Sequence, residues 1–274
     1  MFTRLPKFVP LTAAAVAVAF SFAPQSASAL QVEFEYMGKF NGSTLVNYTR
    51  DDSLPGTAVV GPRNSNPGVF SMREWDGGLN GTDPLYTPGV DDFLAWCFDV
   101  DKLIARNVRS DYTINLDLLN NNPPYKTGAK DRIQKLFDKS YDLSLFASTN
   151  TNQSANSAGF QIAIWEVLYD DVYDLDDGAF KLNPVPQGNR NDGAQGTVLN
   201  AAAAAKTAAN SFLAGSADYT GVRNWIITTY DSGPNGPQDL GVATAIPLPA
   251  AAWLLLGVSG ALVAAKRRKS NRAA

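Results

Sequence analysis

Histidine is absent from the 274-residue chain, and cysteine occurs once, at Cys97. Without histidine the chain cannot form a Ser-His-Asp or Cys-His catalytic pair, a histidine-ligated metal site or a histidine pH switch. A single cysteine excludes a disulfide within the chain and a zinc site built from a cysteine cluster. The 26 acidic residues leave glycoside hydrolysis open, but no pair of carboxylates is singled out by its surroundings, so this alternative is the weakest.

Nucleotide and calcium motifs are also missing. The glycines fall in loops with Asn, Pro and Asp, and they form neither a phosphate-binding loop nor a dinucleotide fingerprint. The Asp-rich segment 170–178 does not fit an EF-hand, because with Gly178 in the glycine position the first and third ligand positions are Tyr173 and Leu175. We therefore expect a solvated acidic turn there, and no cofactor or metal.

The N-terminus has the form of a secretory signal. Arg4 and Lys7 precede an apolar stretch over residues 8–22, and Ala27-Ser28-Ala29 has the small residues that signal peptidase requires. We predict that residues 1–29 are a signal peptide cleaved after Ala29. An uncleaved anchor is the alternative, but the apolar stretch is short for one.

The C-terminus has the form of a membrane anchor. Residues 245–265 are apolar apart from Ser259, and the basic cluster 266–269 follows directly. About 20 apolar residues span a bilayer, and basic residues favour the cytoplasmic side. This pattern predicts a transmembrane helix over about residues 250–265, with the C-terminus in the cytoplasm.

The residues before this helix resemble a known sorting signal. Their sequence is Ile246-Pro247-Leu248-Pro249-Ala250. Together with the apolar helix and the basic end, it resembles the VPLPA variety of the PEP-CTERM tail of Gram-negative bacteria, with Ile246 where that tail has Val. The resemblance covers residues 245–274. It implies export, retention in the inner membrane, and cleavage by an exosortase that releases the protein to the cell surface or extracellular matrix. A plain single-pass anchor is the alternative.

Removing both ends makes the chain strongly acidic. They contain seven of the 23 basic residues and no acidic residue, which leaves 16 basic against 26 acidic residues, a net charge of −10, in residues 30–244. Such a surface argues against nucleic acid as a partner.

Hydrophobic periodicity in residues 30–244 predicts one α+β domain of antiparallel strands, a sandwich or a barrel, with a helical middle section. Asn41-Gly42 predicts a hairpin between the first two strands. We predict strands at residues 30–40, 45–48, 57–60, 69–72, 91–100, 112–119 and 225–230. We predict helices at residues 129–146, at 160–170, and at 198–213 with Thr197 as N-cap, and loops at residues 148–157 and 231–239, the latter a linker to the tail.

Two segments stand out for chemistry. Cys97 lies in Trp96-Cys97-Phe98-Asp99, and a polar amide interrupts an apolar helix in Phe160-Gln161-Ile162-Ala163-Ile164-Trp165. These segments resemble the paired motifs of bacterial thioester domains, which are found in surface adhesins of Gram-positive bacteria. The second motif departs from the family in having Phe160 where Thr is usual.

The resemblance implies a thioester between Cys97 and Gln161 that is not used for turnover but for one covalent attachment to an amine on a partner surface or matrix. We expect Trp96, Phe98, Phe160, Ile164 and Trp165 to form an apolar shell, with the thiolate assisted by Asp99 or a backbone dipole. Two alternatives stay open. For the residue, the alternative is that Cys97 is a buried reduced cysteine. For the protein, the alternative is a non-covalent structural or carbohydrate-binding component of an extracellular polysaccharide matrix.

Overall fold

The computed structural model describes residues 31–39, 44–50, 60–75, 92–104, 106–121, 125–147, 149–183 and 194–247. The strands are β1 Gln31–Lys39, β2 Val46–Arg50, β3 Val60–Ser65, β4 Phe70–Trp75, β5 Asp92–Cys97, β6 Arg109–Ile114, β7 Phe180–Asn183, β8 Trp225–Asp231 and β9 Leu240–Ala245. The helices are α1 Leu118–Asn121, α2 Ala129–Ser140, α3 Gln153–Tyr169 and α4 Ala194–Leu213, with a 3₁₀ helix at Leu143–Phe146.

Six strands close into an antiparallel barrel in the order β1-β4-β5-β9-β8-β6, and a separate antiparallel sheet has the order β3-β2-β7. The prediction of antiparallel strands in a barrel-like arrangement is confirmed. The ring of Phe34 on β1 packs against the rings of Phe93, Tyr112 and Tyr230, at centroid distances between 4.9 and 5.3 Å. These rings from four strands bring the barrel strands together around a common aromatic cluster.

Helix α3 lies at the centre of the helical part. Every residue from Ser157 to Tyr169 is buried, because α2, α4 and the 3₁₀ helix pack around it. A helix buried on all sides is expected to be apolar all round rather than on one stripe. The few polar side chains of α3 are therefore buried with it, and each one needs a partner.

The predicted hairpin between the first two strands is wrong. Strand β1 pairs with β4 and β6 in the barrel, whereas β2 pairs with β3 and β7 in the other sheet. A turn signal favours pairing only between strands that are neighbours in the sequence. Here strands that are distant in the sequence pair with both edges of β1 instead.

Several boundaries also differ from the prediction. Helix α2 ends at Ser140 and not at residue 146, because Tyr141 is extended and the Asp142 carboxylate accepts a hydrogen bond from Ser144 N, which starts a separate 3₁₀ helix. The strand predicted at residues 112–119 is β6, which ends at Ile114 and is followed by a turn in which Asn115 Oδ1 accepts from Asp117 N. Strand β5 ends at Cys97 rather than at residue 100.

Both long helices begin earlier than predicted. Helix α3 starts at Gln153, inside the predicted polar loop, and α4 starts at Ala194, so Thr197 lies in its first turn and is not its N-cap. Polar residues in the first turn of a helix resemble a loop in the sequence, although they are compatible with a helix.

Residues 231–239 are not a linker to the tail. Asp231 is the last residue of β8, and residues 232–239 form the loop between β8 and β9, which completes the barrel by pairing with both β5 and β8. The sequence of β9, Leu-Gly-Val-Ala-Thr-Ala, lacks the large side chains that mark a strand, which is why it was missed. Strand β7 was missed for the same reason as most short strands, since four residues give little periodicity.

The predicted signal peptide (residues 1–29) and transmembrane helix (about residues 250–265) lie outside the described residues, as do the predicted strand residues 57–59. Within the sorting motif the structure describes Ile246, whose N–H donates to Asn224 O, and Pro247. No helix in the described part of the chain has the length and apolar character needed to cross a bilayer.

Candidate functional site

The backbone of Cys97 has one edge that faces away from the neighbouring strand. Cys97 is opposite Leu240 of β9, and the next residue, Phe98, donates its N–H to Asp239 O on that side. Because successive residues of a strand direct their N–H and C=O groups to opposite sides, Cys97 directs its own away from β9. The pairing of β4 with β5 ends at Phe70 and Ala95, so β4 does not cover this edge of Cys97.

The side chain of Gln161 covers it instead. Gln161 Oε1 accepts from Cys97 N at 2.9 Å, and Gln161 Nε2 donates to Cys97 O at 2.7 Å. The carboxamide therefore makes the two hydrogen bonds that the peptide group of another strand would make. Both residues are completely buried. The structure thus brings together the two residues that the sequence analysis paired, although they are 64 positions apart.

Gln161 is one of four side chains that α3 directs at neighbouring backbone. Ser157, Gln161, Trp165 and Tyr169 recur every fourth residue, which places them along one side of the helix. We call these four residues the α3 polar row. Ser157 Oγ accepts from Val69 N at 2.9 Å, Trp165 Nε1 donates to Cys97 O at 3.2 Å, and Tyr169 OH donates to Phe98 O at 2.8 Å.

The α3 polar row thereby takes the place of a strand along the end of β5. Tyr169 OH also accepts from Val100 N at 3.3 Å, so three members of the row satisfy backbone groups from Cys97 to Val100. Gln161 and Trp165 of this row are among the predicted site residues, whereas Ser157 and Tyr169 are not. The signal was present, since polar-capable side chains at a period of four inside an apolar helix indicate partners on one neighbouring segment.

The thiol of Cys97 is held in its neutral form. Burial raises its pKa well above the ordinary value, and the negative charge of Asp99 raises it further. The thiol donates to the backbone carbonyl of Asp99, with Sγ 2.8 Å from the oxygen. A neutral, inaccessible thiol reacts slowly with external reagents, because the thiolate is the nucleophilic form.

The carboxylate of Asp99 makes its contacts elsewhere. Its Oδ1 accepts from Asp101 N at 3.1 Å, and its Oδ2 lies 3.3 Å from Lys102 Nζ. Lys102 also forms an ion pair with Asp239, at 3.8 Å. The hydrogen bond from the thiol to Asp99 therefore goes to the backbone carbonyl of that residue.

The apolar residues predicted around the site are all buried, but they belong to different surroundings. The rings of Trp96 and Phe160 are 4.8 Å apart and lie in an aromatic cluster with residues of α2, the 3₁₀ helix and α4. Phe98 packs on Gly241 of β9 so closely that an added Cβ there would lie 2.0 Å from its ring. Ile164 is buried in the core. Trp165 donates its indole N–H to the backbone carbonyl of Cys97.

A second set of contacts supports the segment after β5 from the β3-β2-β7 sheet. Tyr48 OH donates to Val100 O at 3.1 Å, and Arg50 forms an ion pair of 2.5 Å with Asp101 Oδ2. The Arg50 guanidinium also lies over the ring of Tyr169, 4.7 Å from its centroid. Sequence analysis did not identify Tyr48 or Arg50, because residues in a separate sheet have no fixed spacing from Cys97.

The Asp-rich segment after α3 is a solvated turn in which one of the aspartates, Asp170, is buried. Asp170 is buried and its carboxylate accepts from the backbone N–H groups of Asp171 and Val172, at 2.7 and 3.0 Å, and of Ala179 and Phe180, at 2.5 and 3.2 Å. Among the described residues no three His, Cys, Asp or Glu side chains are grouped in a way that fits a metal ion.

Glu166, on α3 and fully buried, is the most perturbed acid. Burial raises its pKa to about 9, the negative charge of Asp170 contributes in the same direction, and a hydrogen bond from Asp174 N to Oε1 opposes it. The side chain is therefore protonated at neutral pH. Its Oε2 has no hydrogen-bond partner among the residues that the structure describes.

Comparisons with known proteins give two distant structural matches. No family model matches the chain, and no curated protein matches its sequence. The structure is similar to the N-terminal domain of the Streptococcus pyogenes pilus tip adhesin Cpa, with a TM-score of 0.39 and 12% identity over 78% of this chain and 99% of that one. It is also similar to the N-terminal thioester domain of the fibronectin-binding protein SfbI from Streptococcus pyogenes, with a TM-score of 0.38 and 13% identity over 78% of this chain and 98% of that one.

Proposed function

We propose that Cys97 and Gln161 form an internal thioester and that an amine on a partner surface or matrix attacks it, which attaches this protein covalently to the partner. The observation that carries the proposal is the reciprocal pair of hydrogen bonds between the Gln161 carboxamide and the Cys97 backbone, at 2.9 and 2.7 Å. This contact holds the amide against the residue that carries the only thiol of the chain.

The thioester bond can form without an external base, because the leaving group takes up the thiol proton. The Cys97 sulfur attacks the Gln161 amide carbon, the C–N bond breaks, and the thiol proton leaves with the nitrogen as part of ammonia. The Cys97 N–H already donates to Gln161 Oε1, so it is placed to stabilise the negative charge that develops on this oxygen. The thiol can therefore supply the attacking sulfur and, as its S–H bond breaks, the proton that the leaving group needs.

The backbone N–H and C=O groups of Cys97 keep hydrogen-bond partners after ammonia leaves. Loss of Gln161 Nε2 removes one donor to Cys97 O, but Trp165 Nε1 donates to the same oxygen. The Cys97 N–H keeps its acceptor, because Oε1 becomes the thioester carbonyl oxygen. A buried carbonyl without a donor would cost about 1–3 kcal/mol, so this second donor favours the product.

In the second step a primary amine attacks the thioester carbon. The C–S bond breaks, an amide forms between the amine and the Gln161 acyl group, and the Cys97 thiol is regenerated. Each molecule reacts once. Because both side chains are completely buried, we expect water to be excluded and the amine to gain access only when the segment around Cys97 moves.

The two ends of the chain give the proposed setting of this reaction. The signal-like residues 1–29 and the tail 245–274 support export, anchoring in the inner membrane with a cytoplasmic C-terminus, and processing by an exosortase. The protein would then act at the cell surface or in the extracellular polysaccharide matrix, where an amine-bearing partner is available.

The intact mass of the purified full chain tests the thioester. We expect a mass lower than the sequence mass by one ammonia, and Cys97 that stays unlabelled by a thiol reagent after rapid acid denaturation. The matched control is Cys97→Ala, which removes the thiol but keeps the Gln161 hydrogen bonds, since these go to the backbone. The variant should show the full mass and no incorporation of a primary amine.

The opposite result identifies the alternative role. If the full chain has its complete mass and its denatured form is labelled quantitatively, Cys97 is a buried reduced cysteine. Gln161 then serves only to satisfy the end of β5. Native labelling does not distinguish the two, because burial protects the free thiol and the thioester form has no thiol to label.

A further inference from the structure

A cavity of about 370 Å³ lies between the barrel and the β3-β2-β7 sheet, next to the segment that follows Cys97. Its size is within the range of small-molecule sites in proteins. Val100, which is part of its wall, is three residues from Cys97, so their Cα atoms are at most about 11 Å apart. Its wall includes the side chains of Tyr36, Tyr48, Arg63, Phe70, Asp101 and Gln238.

Gln238 lies in the cavity wall and has an acceptor without a partner among the described residues. The residue is 7% exposed, and its Oε1 is buried without a hydrogen-bond partner in the described part of the chain. A buried carbonyl oxygen without a donor is unfavourable, and a ligand that supplies one would relieve this cost. The cavity therefore fits a ligand that carries hydroxyl or N–H groups.

The charges around the cavity disfavour a cationic ligand. Among the described residues of the wall the carboxylate is that of Asp101, which already has two guanidinium partners: Arg50 at 2.5 Å and Arg63 at 3.5 Å. Arg63 is also half-exposed at the cavity, with 54% of its side chain accessible. Two positive groups against one negative group repel an ammonium ion, so the donor is expected to be a hydroxyl group of a neutral or acidic molecule.

Aromatic rings supply the apolar part of the wall. Tyr36 and Phe70 pack edge to face with centroids 5.0 Å apart, and Tyr48 is fixed by its hydrogen bond to Val100 O. Rigid aromatic surfaces beside a few polar groups suit a ligand with both C–H faces and hydroxyl groups.

We propose that this cavity is a non-covalent binding site for a saccharide unit. Gln238 accepts from a sugar hydroxyl, Arg63 donates to ring or carboxylate oxygens, and the rings of Tyr36 and Phe70 contact the C–H face. Binding requires neither the thiol of Cys97 nor the amide of Gln161, so the site functions whether or not the thioester forms. A saccharide bound here holds a polysaccharide beside the segment 97–100.

Ligand-observed saturation-transfer NMR on the full chain in detergent micelles tests the site, with glucose, N-acetylglucosamine, glucuronate and butylamine as separate probes. We expect transfer to at least one saccharide and none to butylamine, with the same result in Cys97→Ala. Gln238→Met should lower the affinity about tenfold or more, because it removes the acceptor and keeps the length of the side chain.

Gln153→Met is the matched control. Gln153, at the start of α3, also has a buried Oε1 without a described partner, but it is not part of the cavity wall. It should bind saccharide like the unmodified chain. Arg63→Gln, an exposed substitution that spares the fold, should weaken glucuronate binding more than glucose binding.

The proposal is overturned by any of three results. The first is the absence of saturation transfer to all three saccharides. The second is saccharide binding that neither Gln238→Met nor Arg63→Gln weakens. The third is saturation transfer to butylamine and to no saccharide, if Gln238→Met abolishes it. None of these results bears on the thioester, whose test is the mass of the chain.

Discussion

At the scale of single residues, the carbonyl oxygen of Cys97 is shared by two donors from one helix. Gln161 Nε2 and Trp165 Nε1 both donate to it, at 2.7 and 3.2 Å. One donor suffices for a buried carbonyl, so the second is needed only if the first is lost. Trp165 is therefore a positioning residue under the proposed chemistry.

Replacing Trp165 by Phe separates this role from packing. The variant keeps an aromatic ring against Tyr48, whose centroid is 6.2 Å from that of Trp165, but it loses the N–H donor. We expect a loss of about 1 kcal/mol or less of unfolding free energy in the unreacted chain, and a clear drop in the fraction that has lost ammonia. Intact mass and chemical denaturation measure the two effects. An unchanged thioester fraction would show that Trp165 acts only in packing.

Glu166 makes the stability of the protein depend on pH. Its pKa is about 9 in the folded state against 4.5 for an unperturbed glutamate, so between these values the folded state keeps a proton that the unfolded state has released. Stability from this group is complete below pH 4.5 and is lost as the pH rises towards 9. The sign follows because the folded state binds more protons in this window.

Glu166→Gln should remove this dependence. Gln keeps an oxygen for Asp174 N and carries no titrating proton, so the variant should gain stability relative to the unmodified chain as the pH increases from about 5 to about 9. Urea denaturation at several pH values measures the difference. Glu74→Gln, at an exposed position on β4, is the control. The difference in unfolding free energy between this variant and the unmodified chain should stay constant over the same pH range. Parallel pH curves for Glu166→Gln would contradict the raised pKa.

At the scale of secondary structure elements, the contact between α3 and α4 depends on a glycine. A Cβ on Gly159 would lie 2.6 Å from Ala208 Cβ and 2.8 Å from two backbone atoms of α4, Ala205 O and Ala209 N. The helices can approach this closely only without a side chain at residue 159. This contact holds the helix that carries the α3 polar row.

Gly159→Ala should therefore destabilise the fold by about 1–3 kcal/mol, even though alanine is the better helix former. Adding Ala208→Gly should not restore stability, because the two backbone contacts remain and a glycine within α4 costs about 1 kcal/mol itself. Thermal unfolding of the single and double variants measures both effects. Full rescue by Ala208→Gly would show that only the Cβ–Cβ contact matters.

At the scale of the whole molecule, β9 connects the barrel to the candidate site and to the tail. It pairs with β8 over six residue pairs and with β5 at Trp96 and Cys97, and Gly241 within it receives the ring of Phe98. The predicted sorting motif begins directly after the strand ends at Ala245, so β9 leads into the tail without a linker.

Truncation tests the importance of this strand. A chain of residues 30–239 lacks β9, which opens the barrel between β5 and β8, whereas residues 30–247 retain it. We expect near-UV circular dichroism to show a cooperative thermal transition for the longer chain and none for the shorter one. A cooperative transition at the same temperature in both would show that β9 is dispensable.

Local sequence patterns predicted an element correctly where its hydrophobic periodicity lies within one segment. The alternation in β1 and the apolar character of β5 and β8 predicted these strands, and the three-to-four residue period predicted α2. Cys97 and Gln161 were paired because each is unusual in its own segment. Short or small-residue strands such as β7 and β9 carry too little periodicity to be recognised.

The sequence alone determined that histidine chemistry and a disulfide within the chain are excluded, that one thiol is available, and that a single amide interrupts an apolar helix, since these are properties of composition and local pattern. Only the tertiary structure decided what the amide contacts. It placed the α3 polar row along the end of β5, closed the barrel with β9, and added Tyr48 and Arg50 from a separate sheet. Such contacts depend on which distant segments compete for the same backbone groups, and this competition is settled by packing across the whole fold.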